Sequence, residues 1–163
     1  MIKYVEGDIM LSAANTIAHG VAPGDHLESG LALALRERWP AMVKDFRHHC
    51  HESHPKPGEL FAWAGAGGVR IINLLTQEPA EGHHGHAHPG KAKVEHVNHA
   101  LRALRKLIEQ ERIASIALPR LATGVGGLSW AEVKPLIEKH LGDLPTPVYV
   151  YETYKAGVKA REG

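Results

Sequence analysis

Leu118-Pro-Arg-Leu-Ala-Thr-Gly-Val-Gly-Gly-Leu-Ser-Trp130 is the stretch from which the rest of this chain is read. The run that leads into it, Ser115-Ile-Ala-Leu118, is apolar and has the length of a buried strand. Thr123 to Gly127 is a loop of small residues. Ser129-Trp130-Ala131-Glu132 then starts a helix in the manner of a capping box, with serine at the cap and glutamate three residues on. A strand, a glycine loop and a helix start in that order predict a phosphate site. Unpaired backbone N–H groups point out of the helix start, and glycines let a pyrophosphate come close to the chain. The loop contains neither G-x-x-x-x-G-K-[ST] nor G-x-G-x-x-G, which excludes a P-loop and a dinucleotide fingerprint.

Outward from this segment, strands and helices alternate. Ile2 to Val5 and Thr16 to Val21 read as strands. Ser29 to Arg38 reads as a helix with Leu31 and Leu35 inward, and Pro40 starts another running to about Cys50 with Met42, Val43 and Phe46 apolar. Glu59 to Trp63 and Val69 to Leu75 are two strands joined as a hairpin by Gly65-Ala-Gly-Gly68. Val94, Val97, Leu101, Leu104 and Ile108 recur at helical spacing. Trp130 to Leu141 is a helix ahead of Gly142, Pro145 and Pro147, and Val148 to Tyr151 is the last strand. This order predicts an α/β fold, a three-layer α/β/α sandwich with a mixed central sheet. Ligands of such sheets bind at the carboxyl ends of the strands, which directs attention to the loops after Val5, Val21 and Leu118.

The bulk numbers narrow the classes. A chain of 163 residues holds one domain with a full core. Its net charge of +1 gives no electrostatic case for broad nucleic-acid or membrane binding. No apolar run approaches the roughly 20 residues of a membrane span, and Met1 to Asp8 lacks the pattern of a signal peptide. Cys50 is the only cysteine, so disulfide and multi-cysteine zinc frameworks are excluded, and a cytoplasmic protein is the expectation. The thirteen histidines include His83-His84-Gly-His-Ala-His88, close enough in sequence to chelate a metal. No carboxylate or cysteine completes a fixed geometry there, and a surface loop is the expected role. No metal site and no cofactor are expected.

Three motifs coincide at strand ends: Tyr4-Val-Glu-Gly-Asp-Ile9, Ala18-His-Gly-Val-Ala22 followed by Ser29-Gly-Leu-Ala-Leu-Ala-Leu35, and Leu118 to Trp130. The combination resembles the macrodomain family of ADP-ribose-binding modules. Within it the chain is similar to the branch holding terminal ADP-ribose protein glycohydrolase and the DNA ADP-ribosyl glycohydrolase antitoxins. The resemblance covers Ile2 to Tyr151. It implies a single macrodomain over residues 1–154, and the polar residues 155–163 read by themselves as a frayed tail. It also implies roles. Asp8 accepts from the adenine amino group beside the Ile9 backbone, and Tyr151 covers the adenine, with Tyr149 and Tyr154 as rivals. Ser29, Gly30 and Leu31 face the phosphates. Thr123, Gly124, Val125 and Gly126 wrap the pyrophosphate and distal ribose, and His19 stands at the strand end nearby.

The sequence departs from that pattern where the branch does its chemistry. The branch's lysine, which attacks the distal ribose to form a covalent intermediate, corresponds to Gln77, and its partner aspartate to Gly126. The first-loop asparagine of many macrodomains corresponds to Ala22, and Glu28 replaces a glycine of that loop. The lysine mechanism is therefore excluded. Two readings remain: recognition of ADP-ribose or ADP-ribosylated targets without turnover, and hydrolysis by a bound water that Asp25, His26, Glu28, His19 or Gln77 would orient. The target would be an ADP-ribosylated protein or nucleic acid, or a small metabolite such as ADP-ribose 1''-phosphate or O-acetyl-ADP-ribose.

Overall fold

The alternation of strand and helix produces six strands and four helices among the described residues, 1–79 and 89–163 of the computed structural model. In chain order they are β1 (Ile2–Gly7), β2 (Thr16–Val21), α1 (Gly30–Arg38), α2 (Pro40–Ser53), β3 (Leu60–Ala64), β4 (Arg70–Leu75), α3 (Val94–Glu111), β5 (Ile116–Leu118), α4 (Trp130–Leu141) and β6 (Val148–Tyr154). They form one sheet in the order β1-β6-β5-β2-β4-β3. Every neighbouring pair is parallel except the β3–β4 hairpin, which is antiparallel.

Strands covered on both faces need apolar residues on both, and successive side chains go to opposite sides. Ile71 accordingly joins Leu35, Met42 and Phe46 of α1 and α2, whereas Ile72 joins Leu101, Leu104 and Ile137 of α3 and α4. The heptad-like spacing in α3 buries Val97, Ala100, Leu101, Leu104 and Ile108. Each large side chain among them contributes about 1.5–3 kcal/mol. This is the expected α/β/α sandwich with a mixed sheet. Its parallel strands all run the same way, so the loops after β1, β2 and β5 open on one edge.

The expectation of a frayed tail is corrected. The Val158 carbonyl accepts from the Asp8 N–H at 2.7 Å, and Ala160 is buried. The Glu162 carboxylate accepts from the Ser12 hydroxyl (2.6 Å), the Ala13 N–H (3.0 Å) and the Tyr151 hydroxyl (2.5 Å). Residues 155–163 thus bind the start of the chain to β6. Gly7 makes the approach feasible: a Cβ there would stand 2.8 Å from the Ala160 nitrogen. The His83–His88 cluster lies outside the described residues. Among those described, no group of three or more His, Cys, Asp or Glu is placed to hold a metal.

Candidate functional site: a cleft with two chambers

Two depressions meet on the edge where the parallel strands end. One, of about 370 Å³, is walled by His19, Asp25, Glu28, Gln77 and the Gly124–Gly126 segment. The other, of about 510 Å³, is walled by Asp8, Ile9, Met10, Tyr151 and Tyr154. Gly30, Leu31 and Pro119 line both, so the two chambers form one elongated cleft with the start of α1 at its waist. The structure therefore brings together Asp8, Ile9, Gly30, Leu31 and Tyr151, and also His19, Ser29, Gly124, Val125 and Gly126.

The chamber around Asp8 is shaped by a 3-10 turn, Ile9–Leu11, whose first residues follow β1. Asp8 caps it: Oδ1 accepts from the Met10 N–H and Oδ2 from the Gly157 N–H, each at 3.0 Å. The carboxylate is thus held in place with lone pairs left over for a further donor. Tyr151 is buried, its hydroxyl tied to Glu162, and burial pushes its phenol pKa upward so that it stays protonated. Tyr154 is the exposed rim of this chamber. Tyr149 is absent from its wall.

The other chamber is built from backbone. No backbone carbonyl among the described residues accepts from the N–H groups of Gly124, Val125 or Gly126. The same holds for Gly30, Leu31 and Ala32, the unpaired donors of the first turn of α1. The two sets face one cavity, and helix start and loop together present partial positive charge to it. The loop is braced from behind. The Ala92 N–H donates to the Gly126 carbonyl at 2.9 Å, and the Leu128 N–H to the Ala122 carbonyl at 3.0 Å. The Glu132 carboxylate accepts from the Ser129 N–H at 3.1 Å, the glutamate half of a capping box, and from the Ser129 hydroxyl at 3.0 Å. Ala122 on the chamber wall and the buried Leu27 of the β2–α1 loop hold φ of 61° and 54°. Left-handed backbone at a residue with a side chain costs about 1–2 kcal/mol and persists only where neighbours enforce it.

Thr123 is the exception among the expected contacts. Its hydroxyl donates to the Arg120 carbonyl at 2.9 Å, and the residue is absent from the wall. The residues expected to orient a water separate in the same way. Asp25 is buried, and its oxygens accept from the Ala22 N–H (3.1 Å) and the Leu27 N–H (2.8 Å), so its work is to set the β2–α1 loop. His26 lies on the outer side of that loop, in a different depression. Gln77 lines the chamber but is buried and pinned, its amide donating to the Gly90 carbonyl at 2.9 Å. Glu28, by contrast, is an exposed carboxylate on the chamber wall, 4.0 Å from His26 Nδ1.

His19 is buried beneath this chamber, and its Nε2 lies 2.6 Å from Asn73 Oδ1. An amide oxygen only accepts, so Nε2 carries the hydrogen and Nδ1 is left as an acceptor. Burial depresses the ring's pKa, partly offset by Asn73 and Asp25, and keeps it neutral. Thr76 and Asn73, both fully buried, belong to no motif that the sequence displays. Thr76 Oγ1 has no hydrogen-bond partner among the described residues, and it stands 2.6 Å from where a Cβ at Gly20 would be. Gly20 must therefore stay bare. Cys50 is a loop prop: its Sγ accepts from the Gly24 N–H at 3.4 Å, and burial pushes the thiol pKa up.

This fold, with glycine-loop and helix-start donors facing one cleft at the strand ends, defines a macrodomain. The chain belongs to the Macro domain family, whose model matches residues 12–137. It is 28% identical over 153 residues to the DNA ADP-ribosyl glycohydrolase of Thermus aquaticus, covering 93% of this chain and 41% of that protein. The chain thus spans less than half the length of the curated relatives it matches. The solved macrodomain of Thermus aquaticus DarG superimposes with a TM-score of 0.78 at 28% identity, over 93% of this chain and 98% of that one. Thermosipho africanus DarTG, solved in complex with ADP-ribose, shares the fold with a TM-score of 0.80 at 22% identity, over 95% of this chain and 42% of that one.

Proposed function

We propose that the cleft binds ADP-ribose and that the domain recognises ADP-ribosylated targets through it. One observation carries the reading: two chambers of different chemistry meet at the start of α1. A carboxylate beside a tyrosine suits an adenine, whose exocyclic amine can only donate. Two facing sets of unpaired N–H groups suit a pyrophosphate, and Gln77 and Glu28 border the space beyond it. The ADP-ribose in the solved Thermosipho relative and the glycohydrolase names of the curated relatives support the same reading. Calorimetry with ADP-ribose, AMP and ATP tests it. ADP-ribose is expected to bind best, because only it fills both chambers with one pyrophosphate between them. Equal affinity for AMP or ATP would remove the assignment.

A second reading, slow hydrolysis, is favoured by Glu28. In this reading a water attacks the anomeric carbon of the distal ribose. Its proton passes to the Glu28 carboxylate, and the bond to the target breaks with its electron pair leaving on the target. Gln77 has no basic nitrogen, so a covalent lysine route has no counterpart. Incubation with ADP-ribosylated DNA should release free ADP-ribose slowly, and Glu28→Gln should abolish release while leaving ADP-ribose affinity intact. No release by the unaltered protein would leave recognition alone.

A further inference from the structure

Behind the β2–α1 loop lies a third depression, of about 410 Å³, lined by His26, Arg36, Pro40, Val43, Lys44 and Arg47. Pro40, Val43, Lys44 and Arg47 recur at i, i+3, i+4 and i+7, so one face of α2 supplies most of the wall. Val43 is buried and forms the floor, while Lys44 and Arg47 stand exposed above it. No carboxylate lines the depression, and Glu28, 4.0 Å from His26 Nδ1, borders the cleft on the other side of the loop. Among the described residues, Arg36, Lys44 and Arg47 enter no ion pair, unlike Arg70, Lys93, Arg105, Lys134 and Lys155. The nearby Asp45 is turned away, accepting from Trp63 Nε1 at 2.9 Å. In a chain of net charge +1 this concentrates fixed positive charge in one concave place. Concavity strengthens its pull on an anion.

The depression adjoins the cleft. Asp25 and Glu28 face the cleft, and His26, between them in sequence, faces the depression. Arg36 joins the two sides by donating from Nη1 to the His26 carbonyl at 3.1 Å. On the ADP-ribose reading, a group attached to the distal ribose and leaving past this loop would meet Lys44 and Arg47. We propose that this depression is a second binding site, taking a phosphodiester of a nucleic-acid strand whose modified base is held through its ADP-ribose in the cleft. The inference rests on the ADP-ribose reading of that cleft. A modified nucleotide brings a backbone phosphate on either side of it, whereas a modified protein side chain brings no anion of necessity. The fork of Arg47 and the point charge of Lys44 suit phosphate oxygens.

The test uses the full chain and a Lys44→Ala/Arg47→Ala variant, both changes at exposed positions outside the cleft. Three probes are titrated: free ADP-ribose, a peptide carrying ADP-ribose, and a short single-stranded DNA carrying one ADP-ribosylated base. The variant is expected to bind the first two unchanged and the DNA about tenfold more weakly. Its logarithmic salt dependence for the DNA should flatten by about 0.7 for each phosphate that Lys44 and Arg47 no longer neutralise. Arg47→Lys should keep most of that slope. DNA affinity unchanged in the variant, or an equal loss for all three probes, overturns the second site. Failure of the unaltered protein to bind free ADP-ribose would instead overturn the reading of the cleft.

Discussion

At the scale of single residues, two of the three glycines in the Thr123–Gly127 loop behave oppositely. A Cβ at Gly124 meets nothing within 4 Å, whereas one at Gly126 would lie 2.6 Å from the Ala122 carbonyl oxygen and 2.9 Å from Ala92 Cβ. Gly126 is therefore more than a missing aspartate, because the local backbone leaves no room for a side chain. Gly126→Asp is expected to cost about 1–3 kcal/mol by overpacking, seen as a lowered Tm. Gly124→Glu should leave Tm unchanged and weaken ADP-ribose binding about tenfold or more, because its carboxylate enters the space that the proposed function gives to the phosphates. Calorimetry and thermal melts on the pair separate the two effects. Equal melting temperatures for both variants would contradict this account of the loop. Introducing a lysine with Gln77→Lys alone should not raise turnover above that of the unaltered protein, since Gly126 leaves no room for a partner aspartate.

At the scale of elements, the cleft depends on segments that carry no ligand contact. Glu162 collects three donors, from Ser12, Ala13 and Tyr151, and so fixes the 3-10 turn behind Asp8 and the tyrosine of the same chamber. Glu162→Ala is expected to lower stability by about 1.5–3 kcal/mol, the range for hydrogen bonds to a charged group. It should also weaken ADP-ribose binding more than pyrophosphate binding, because only the chamber around Asp8, which the proposed function gives to the adenine, loosens. A melt combined with titrations of ADP-ribose and inorganic pyrophosphate checks this. Pyrophosphate affinity falling as far as ADP-ribose affinity would show a general loss of structure instead. The elements themselves were legible locally. The α3 periodicity, the proline at the start of α2 and the capping box at Ser129 each rest on neighbours within a few residues. The extension of α2 to Ser53 and of β6 to Tyr154 was not, because those ends are held by packing and by pairing with β1.

At the scale of the whole molecule, burial of two histidines couples folding to pH. His19 and His140 are both held below the ordinary value of 6.5, by burial first in each case. The unfolded chain takes up protons at these sites as pH falls through about 6.5, and the folded chain does so only at lower pH. Stability is therefore complete above that value and is lost progressively below it. Tm should be flat above neutrality and fall as the solution is acidified, and His19→Gln, whose amide can still donate to Asn73, should flatten the decline. An unchanged acid slope in that variant would assign the effect elsewhere. No described helix is long and apolar enough to cross a membrane.

The sequence alone determined the layered fold and most of the cleft. Those depend on hydrophobic period, on glycine and on helix starts, all set by neighbouring residues. The family resemblance set Gln77 and Gly126 against the lysine and aspartate expected of the glycohydrolase branch, and neither side chain can do that chemistry. Tertiary structure decided which polar groups remain available. Asp25 and Gln77 reach the cleft but are engaged by the Ala22, Leu27 and Gly90 backbone, and His26 faces the opposite side of its loop. Tertiary structure likewise turned the C-terminal residues from a tail into a brace and set Lys44 and Arg47 beside the cleft. The reason is physical: a side chain's type is written in the sequence, but its partners are chosen by chain segments far apart that fold onto one another.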